Sequence, residues 1–170
     1  ALTMQVKRGL QPYYEMNVAV TERLARLSLQ MAVRRFVYIS SANCFAPGSM
    51  ENPGDESGAF LSFLEKSGYA YSKLLARRMV LKAFREKGLP AIILAPTTLI
   101  GPRDARPSSG QYLLYGLRRG PVFYPPGGKS FLDAELAAES VVNALEMGCN
   151  GEEYLLAGAN MTYREFFREI

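Results

Sequence analysis

The sequence predicts an α/β fold in which crossover helices connect the strands of a parallel sheet. Amphipathic helical segments alternate with short apolar segments over the first hundred residues, and the apolar segments lack the polar alternation of a strand with one solvated face. The length of 170 residues and the hydrophobic content of 48% allow one sizeable core. We therefore expect one globular unit.

The first helix is predicted at residues 12–33, where apolar residues recur at helical spacing. Its apolar stripe consists of Val20, Leu24, Leu27 and Met31. Residues 36–39 are apolar and are predicted to form a strand buried on both faces. A polar loop rich in glycine and proline follows at 42–67, and this length is typical of a functional loop.

The second helix is predicted at 69–87, because Gly88 can cap its carboxyl end and Pro90 cannot continue it. A second buried strand is predicted at 91–95 and ends at Pro96. The order helix, strand, helix, strand favours parallel strands joined by crossover connections.

The second half of the chain has a different composition. Residues 103–130 are rich in Gly, Pro, Arg and Tyr, with one short helix predicted at 111–119. Loops that leave the carboxyl ends of parallel strands build the ligand crevice of open α/β proteins, so this segment is a candidate substrate cover. A helix at 134–147, a strand at 153–157 and a helix from about Thr162 complete the prediction.

Composition restricts the classes of partner. The net charge is +4, and the basic residues are scattered over predicted helices without the interleaved aromatics of a nucleic-acid surface. Pro90 and Pro96 interrupt the longest apolar run before it reaches membrane-spanning length, and no secretory signal is visible. These features predict a cytoplasmic protein that binds neither nucleic acid nor membrane.

Cysteine and histidine usage restricts the chemistry. The two cysteines, Cys44 and Cys149, are far apart and fit free thiols in a reducing compartment. The chain has no histidine, which excludes a serine–histidine or cysteine–histidine hydrolase and disfavours a zinc site. No metal is predicted.

Tyr69 and Lys73 are the most informative pair in the chain. Four residues apart on one helix, they lie on the same face. A free phenol titrates near pH 10, and a neighbouring ammonium lowers that pKa by stabilising the phenolate. With a serine from the upstream Ser40-Ser41 nearby, the set indicates proton transfer at an alcohol or carbonyl. The spacing alone is equally compatible with a solvated helix face.

Further segments occur around this pair in a fixed order. They are Met16–Thr21, Val37–Phe45, Tyr69–Lys73, Leu94–Arg103, Ser130–Asp133 and Glu153–Gly158. Together they resemble motifs of the extended short-chain dehydrogenase/reductases, which include nucleotide-sugar epimerases and dehydratases, dihydroflavonol reductases and 3β-hydroxysteroid dehydrogenases. The resemblance covers nearly the whole chain.

The chain departs from the family pattern in several places. Val20 replaces a glycine, Ala95 an arginine and Leu136 an aspartate. The glycine-rich turn that binds the dinucleotide pyrophosphate is not found, so the resemblance places the start of the chain about halfway through the nucleotide-binding domain. Residues 128–130 imitate the end of a phosphate-binding loop but lack its strand–loop–helix context.

The resemblance implies a fold and a domain division. We expect the C-terminal part of a Rossmann-type, doubly wound parallel sheet with a small substrate-binding subdomain. Residues 1–102 would form a partial dinucleotide-binding domain. Residues 103–170 would form mostly the substrate-binding subdomain, with 153–158 returning to the sheet.

The resemblance also implies site residues and a cofactor, NAD or NADP. Tyr69 would act as general acid or base, Lys73 would lower its pKa and hold the nicotinamide ribose, and Ser41 would bond the reacting oxygen. The cofactor-binding residues implied are Asn17, Tyr69, Lys73, Pro96, Thr97, Thr98 and Ser108.

Alternative roles stay open for several side chains. Asn17 and Ser108 can be plain surface polar groups, Arg103 and Arg118 diphosphate ligands or surface charges, and Tyr112, Tyr115 and Tyr124 pocket walls or core.

Three functional classes follow. The first is an NAD(P)-dependent oxidoreductase, of dihydroflavonol reductase type because of Leu136 and Ala95, with a nucleotide-sugar epimerase or dehydratase as the alternative. The second is a dinucleotide-binding regulator without turnover, and the third is an inactive fragment. The expected partners are a small-molecule substrate and a second copy, in a homodimer formed through the helices near 17–32 and 69–87.

Overall fold

The strands of the protein form two small sheets. A computed structural model describes residues 9–105, 107–118 and 120–170. The first sheet contains β1 (Phe36–Ile39), β2 (Ala91–Pro96) and β5 (Glu153–Leu156), in the order β1-β2-β5 and all parallel. The second contains β3 (Thr98–Ile100), β4 (Gly128–Asp133) and β6 (Ala159–Thr162), with β3 parallel and β6 antiparallel to the central β4.

The helices lie between and after these strands. They are α1 (Gln11–Tyr13), α2 (Val20–Gln30), α3 (Gly68–Lys87), α4 (Gln111–Gly116), α5 (Ala134–Met147) and α6 (Tyr163–Arg168). A π-helical turn, Tyr14–Ala19, joins α1 to α2, and short 3₁₀ turns lie at Ala42–Cys44 and Ser62–Lys66.

Local side chains define the ends of the main helices. The hydroxyl of Ser67 accepts from the Ala70 N–H at the start of α3, and Gly88 ends that helix at φ 69°. Asp133 accepts from two backbone N–H groups at the start of α5. Thr162 and Glu165 form a reciprocal capping box at α6. Each such cap contributes about 0.5–2 kcal/mol, which explains why the predicted starts of α3, α5 and α6 are correct to within a residue.

Helices cover both faces of the first sheet. On one face, α2 and α3 enclose a core that includes Val18, Ala25, Val80 and Ile93. On the other face, α5 packs through Ala144 against side chains of β2. The α/β class and the parallel sheet predicted from the sequence are confirmed. No helix in the described ranges is both long and apolar enough to cross a bilayer.

The apolar stripe of the first helix faces away from the core. The expected apolar stripe is exposed, with Val20 at 40%, Leu24 at 52%, Leu27 at 50% and Met31 at 76%. The side that faces the core instead carries small residues, Thr21 and Ala25, both buried. Small side chains let the helix approach the sheet and α3 closely. The spacing of hydrophobic residues alone does not show which side of the helix faces the core. The helix also ends at Gln30, and Ala32 turns the chain at φ 47°.

The second sheet is held by aromatic packing. The rings of Phe131 and Phe166 stack with centroids 4.0 Å apart, and Tyr112 lies 6.1 Å from Tyr163. Tyr115 and Tyr124 both contact the ring of Phe167. These contacts assign Tyr112, Tyr115 and Tyr124 to packing within this layer.

Residues 1–8 of the first predicted domain, and Arg106 and Arg119 of the second, lie outside the described residues.

A clamp connects α3, β5 and the long loop after β1. The Arg77 guanidinium binds both carboxylate oxygens of Glu153, with Nη2 2.7 Å from Oε1, and lies 4.5 Å above the ring of Phe45. In the same region the Glu56 carboxylate accepts from the Leu155 N–H at 2.6 Å. The side chains of Arg77 and Glu153 are only 18% and 16% exposed.

Replacing Arg77 with alanine is expected to lower the free energy of unfolding by about 2–3 kcal/mol, because Glu153 keeps a half-buried charge without its partner. The matched control is Lys82→Ala, which breaks the exposed Lys82–Glu86 pair. That change is expected to cost less than about 0.5 kcal/mol. Urea denaturation of both variants measures the difference, and equal losses would contradict the clamp.

Candidate active site

The end of β1 delivers two serines to one edge of the first sheet. The Ser40 N–H donates to Leu94 O at 2.7 Å, which continues the pairing of β1 with β2. Ser41 then leaves the sheet with an extended backbone, and its hydroxyl accepts from the Asn43 N–H at 3.3 Å. Both serines are buried. A turn forms here because the hydroxyl replaces a missing backbone partner.

The first turn of α3 delivers the tyrosine. A side chain at position 68 would put its Cβ 2.6 Å from Cδ2 of Tyr13, so only Gly68 allows α3 to start against α1. Tyr69 follows directly, and its hydroxyl interacts with that of Ser41. The predicted meeting of the end of β1 with the start of α3 therefore occurs in the structure.

The phenol of Tyr69 has a higher pKa than a free tyrosine. Burial raises the pKa above 10.0, and the hydrogen bond from Ser41 lowers it by a smaller amount. Lys73 is not among the groups that shift this pKa, so its expected effect on Tyr69 stays a prediction.

The amine of Lys73 is buried one turn after Tyr69 on α3. Its Nζ donates to Ile39 O at 2.8 Å and lies 5.3 Å from the ring centroid of Tyr38. Lys73 is 4% exposed. Burial lowers its pKa from 10.5 to about 8, and the Cys44 thiol opposes that shift.

Asn17 lies behind Tyr69 rather than in the cavity. Its Nδ2 donates to Ser72 Oγ at 2.9 Å, and Ser72 Oγ donates to Tyr69 O at 2.9 Å. Asn17 belongs to the π-helical turn, a distortion that often occurs at functional sites. The contribution of Ser72 was missed. Its position three residues after Tyr69 on the same helix was the available signal.

A cavity of about 370 Å³ opens at the carboxyl ends of β1 and β2. Its lining includes five of the predicted residues: Ser41, Tyr69, Pro96, Thr97 and Ser108. Thr98 begins β3, pairs with Phe131 and does not line the cavity, so its expected contact with the cofactor stays a prediction. Lys73 and Asn17 lie outside the lining, buried under it.

The second wall of the cavity comes from the loop after β3. Arg103 lines it at φ 67°, an uncommon conformation for a residue other than glycine. Asp104 Oδ2 accepts from the N–H groups of Ser108 and Gly110, both at 3.1 Å, and so fixes the loop that carries Ser108. Asp104 was missed, although an aspartate shortly before Ser-Ser-Gly is a turn signal. Arg118 lies over the ring of Tyr115 instead.

The donor set suits an organic ligand. No group of acidic, cysteine or histidine residues in the described ranges can hold a metal ion. Thr97 Oγ1 is buried and has no hydrogen-bond partner among the described residues. Because buried hydroxyls are nearly always paired, Thr97 fits a polar ligand group at this wall. The arrangement can hold a carbonyl or alcohol oxygen between Ser41 and Tyr69.

Comparisons with known proteins agree on one family. The family model described as the NAD dependent epimerase/dehydratase family matches residues 7–156. A protein of Synechocystis sp. that carries a provisional dihydroflavonol 4-reductase name is 29% identical over 163 residues, covering 92% of this chain and 47% of that protein. The chain therefore spans about half the length of the curated relatives it matches.

Solved structures have the same fold. The crystal structure of gox2253 matches with a TM-score of 0.89 at 32% identity, over 99% of this chain and 52% of that one. A nucleoside-diphosphate-sugar epimerase from Pseudomonas aeruginosa matches with a TM-score of 0.72 at 29% identity, over 86% of this chain and 50% of that one. Both superpose on a Rossmann-type region that fills half of the larger molecule.

Proposed function

Because the chain belongs to the NAD-dependent epimerase/dehydratase family, we propose that it carries the proton-transfer site of an NAD(P)-dependent oxidoreductase. The reaction proposed is reduction of a carbonyl, or oxidation of the corresponding alcohol, by an enzyme of dihydroflavonol reductase type. The provisional name of the Synechocystis relative supports this choice.

One observation carries the proposal. Ser41 and Tyr69 both line a cavity at the carboxyl ends of parallel strands, where their hydroxyls interact. Ligands of open α/β sheets bind at this end. Two adjacent hydroxyls that share one open face can bind a single substrate oxygen, which is the geometry that a carbonyl reduction needs.

Each side chain has a distinct role in this proposal. Tyr69 donates its phenolic proton to the carbonyl oxygen as that oxygen becomes an alkoxide, and accepts it back in the oxidation. Ser41 donates a second hydrogen bond to the same oxygen. Lys73, buried one turn further along α3, would stabilise the phenolate that forms when Tyr69 gives up its proton.

The cofactor would approach from the wall that contains Pro96, Thr97 and Ser108. A nicotinamide dinucleotide supplies the hydride when bound. The unpaired hydroxyl of Thr97 offers a hydrogen bond there. Lys73 would contribute a donor to the ribose, and Asn17 would act indirectly, through Ser72 and the backbone of Tyr69. Thr98 is expected to support this wall through β3.

The test is a fluorescence titration of NADH and NADPH with the polypeptide that contains this chain, followed by turnover of a panel of ketones, aldehydes and sugar nucleotides. We expect saturable binding of one cofactor and its oxidation in the presence of a ketone. Binding without turnover of any substrate would support the regulator instead. Absence of binding to either cofactor would leave an inactive fragment.

A second candidate is a nucleotide-sugar epimerase or dehydratase. Arg103 lines the cavity, and a guanidinium can bind a diphosphate through two parallel hydrogen bonds. The sugar-nucleotide arm of the same panel separates the two reactions. An epimerase or dehydratase converts the sugar without net consumption of cofactor, whereas a reductase oxidises one NAD(P)H for each carbonyl reduced.

We also propose that the protein forms a homodimer through α2 and α3. The groove between these helices, about 560 Å³ in volume, contains charges of both signs, including Glu22, Arg26, Lys82 and Glu86. Self-complementary charge suits a two-fold interface in which the same patch meets itself. Light scattering is expected to give twice the mass of one polypeptide, and a monomeric mass at micromolar concentration would contradict the dimer.

A further inference from the structure

Lys73 is a buried cation without a carboxylate partner. The ion pairs found among the described residues are Arg77–Glu153 and Lys82–Glu86, and neither includes it. Its hydrogen bond goes to a backbone carbonyl, that of Ile39. A buried ammonium is costly unless another group compensates its charge. The local structure must therefore contain something else that stabilises the amine.

Tyr38 is the neighbour placed to do so. It lies on β1 immediately before Ile39 and is 8% exposed, and Lys73 Nζ is 5.3 Å from its ring centroid. This distance lies within the range of about 6 Å over which a ring face attracts a cation. The Tyr38 hydroxyl is buried and has no hydrogen-bond partner in the described ranges. No hydrogen bond of the hydroxyl therefore stabilises the buried position of Tyr38 among the described residues.

We propose that Tyr38 is a positioning residue, whose ring face holds the ammonium of Lys73 against the Ile39 carbonyl. The consequence for the site rests on the proposed function of Lys73. The ring and the carbonyl together fix the amine on the β1 side of α3, within one helical turn of Tyr69. An aliphatic residue at position 38 would keep the site apolar but would not attract the cation.

The titratable groups that surround Lys73 and Tyr38 are a thiol, a phenol and a guanidinium. Cys44, from the turn after β1, faces Lys73 and Tyr38. Tyr69 faces Tyr38 from α3, and Arg77 faces Cys44 from the following turn of the same helix. Asn17 and Ser72, which approach from α1–α2 and α3, do not titrate. Because no carboxylate is in this set, the ring is the main electron-rich side chain available to the amine.

The first test uses the unaltered chain. Proton NMR of selectively labelled lysine, with Lys73→Met to assign the resonance, measures the shift of the Lys73 ε-methylene protons. A ring face moves protons above it upfield, so we expect a shift well outside the range of the other lysines. An ε-methylene shift within that range would overturn the proposal, whatever the variants do.

The second test compares Tyr38→Phe with Tyr38→Leu. The phenylalanine keeps the ring and removes only the unpaired hydroxyl, so the pKa of Lys73 should stay close to about 8. The leucine removes the ring, and the pKa should fall by roughly 0.5–1 unit, which corresponds to the usual strength of a cation–ring contact. Equal shifts in the two variants would assign the effect to the hydroxyl and overturn the proposal.

These measurements need no cofactor and no turnover. If the lysine resonances behave as expected while NADH and NADPH fail to bind, the ring contact stands and the proposed function fails. If a cofactor binds but Tyr38→Leu leaves the pKa of Lys73 unchanged in a folded protein, the proposed function stands and the ring contact fails. The two ideas therefore fail separately.

Discussion

Replacing Tyr69 with phenylalanine is expected to lower kcat/KM for carbonyl reduction by about 10²–10⁴-fold, the usual effect of removing a general acid. The phenol is protonated at neutral pH, because burial keeps its pKa above that of a free tyrosine. Phenylalanine fills the same space, so α3 should still start against α1. Steady-state kinetics with the preferred cofactor measures the loss.

The matched control is Tyr71→Phe, two residues further along the same helix. Tyr71 packs at the edge of the cluster that contains Phe45 and Leu74, and it does not line the cavity. Its replacement is expected to change kcat/KM less than threefold, a margin that corresponds to about 0.6 kcal/mol. Similar losses in both variants would indicate a general disturbance of α3 and would remove Tyr69 from the proposed proton transfer.

Replacing Lys73 with methionine is expected to raise the free energy of unfolding at pH 7 while it abolishes activity. The pKa of Lys73 falls from 10.5 in the unfolded chain to about 8 in the folded one. The unfolded chain therefore binds more protons between these two values, and the wild-type protein gains stability as pH rises through this window. Methionine avoids the cost of the buried charge, and the gain at pH 7 should be about 2–3 kcal/mol.

The pH dependence distinguishes this cause from better packing. The difference between Lys73→Met and wild type should be greatest below pH 8 and should shrink as pH rises toward 10.5. Lys82→Met is the control, since that side chain is 70% exposed and carries no burial cost. Urea denaturation at several pH values measures both. If Lys73→Met raises the free energy of unfolding by the same amount at every pH, the buried charge is not the cause.

The sequence predicts the elements whose signals are strong and local. β2 is an uninterrupted apolar run bounded by two prolines, and α5 begins at an aspartate cap, so both were placed correctly. β3 and β6 were not predicted. They have three and four residues, and each depends on pairing with β4, which is distant along the chain. Short strands of this kind are specified by tertiary contacts more than by their own composition.

The proximity of Ser41 and Tyr69 was predictable from the sequence, whereas the electrostatics around them were not. Ser41 and Tyr69 meet because a strand end and a helix start occupy the same edge of a parallel sheet, and both positions can be read from the sequence. The raised pKa of Tyr69 depends on burial, and the partner of Lys73 depends on which carbonyl lies within reach. The contact of Tyr38 with Lys73 could not be predicted, because Tyr38 lies on β1 and Lys73 on α3.

The contact of Glu56 with Leu155 bears on aggregation through the edge of the first sheet. β5 lies at the end of the strand order of the first sheet. The carbonyls of Glu152 and Leu156 accept hydrogen bonds from the β2 side. Because backbone groups alternate sides along a strand, the N–H of Leu155 points away from β2. An outward N–H on a terminal strand can recruit a strand from another molecule and start aggregation. The Glu56 carboxylate occupies that donor and adds a negative charge beside it. We therefore expect that shortening the loop after β1 favours precipitation even where the hydroxyls of the cavity are untouched.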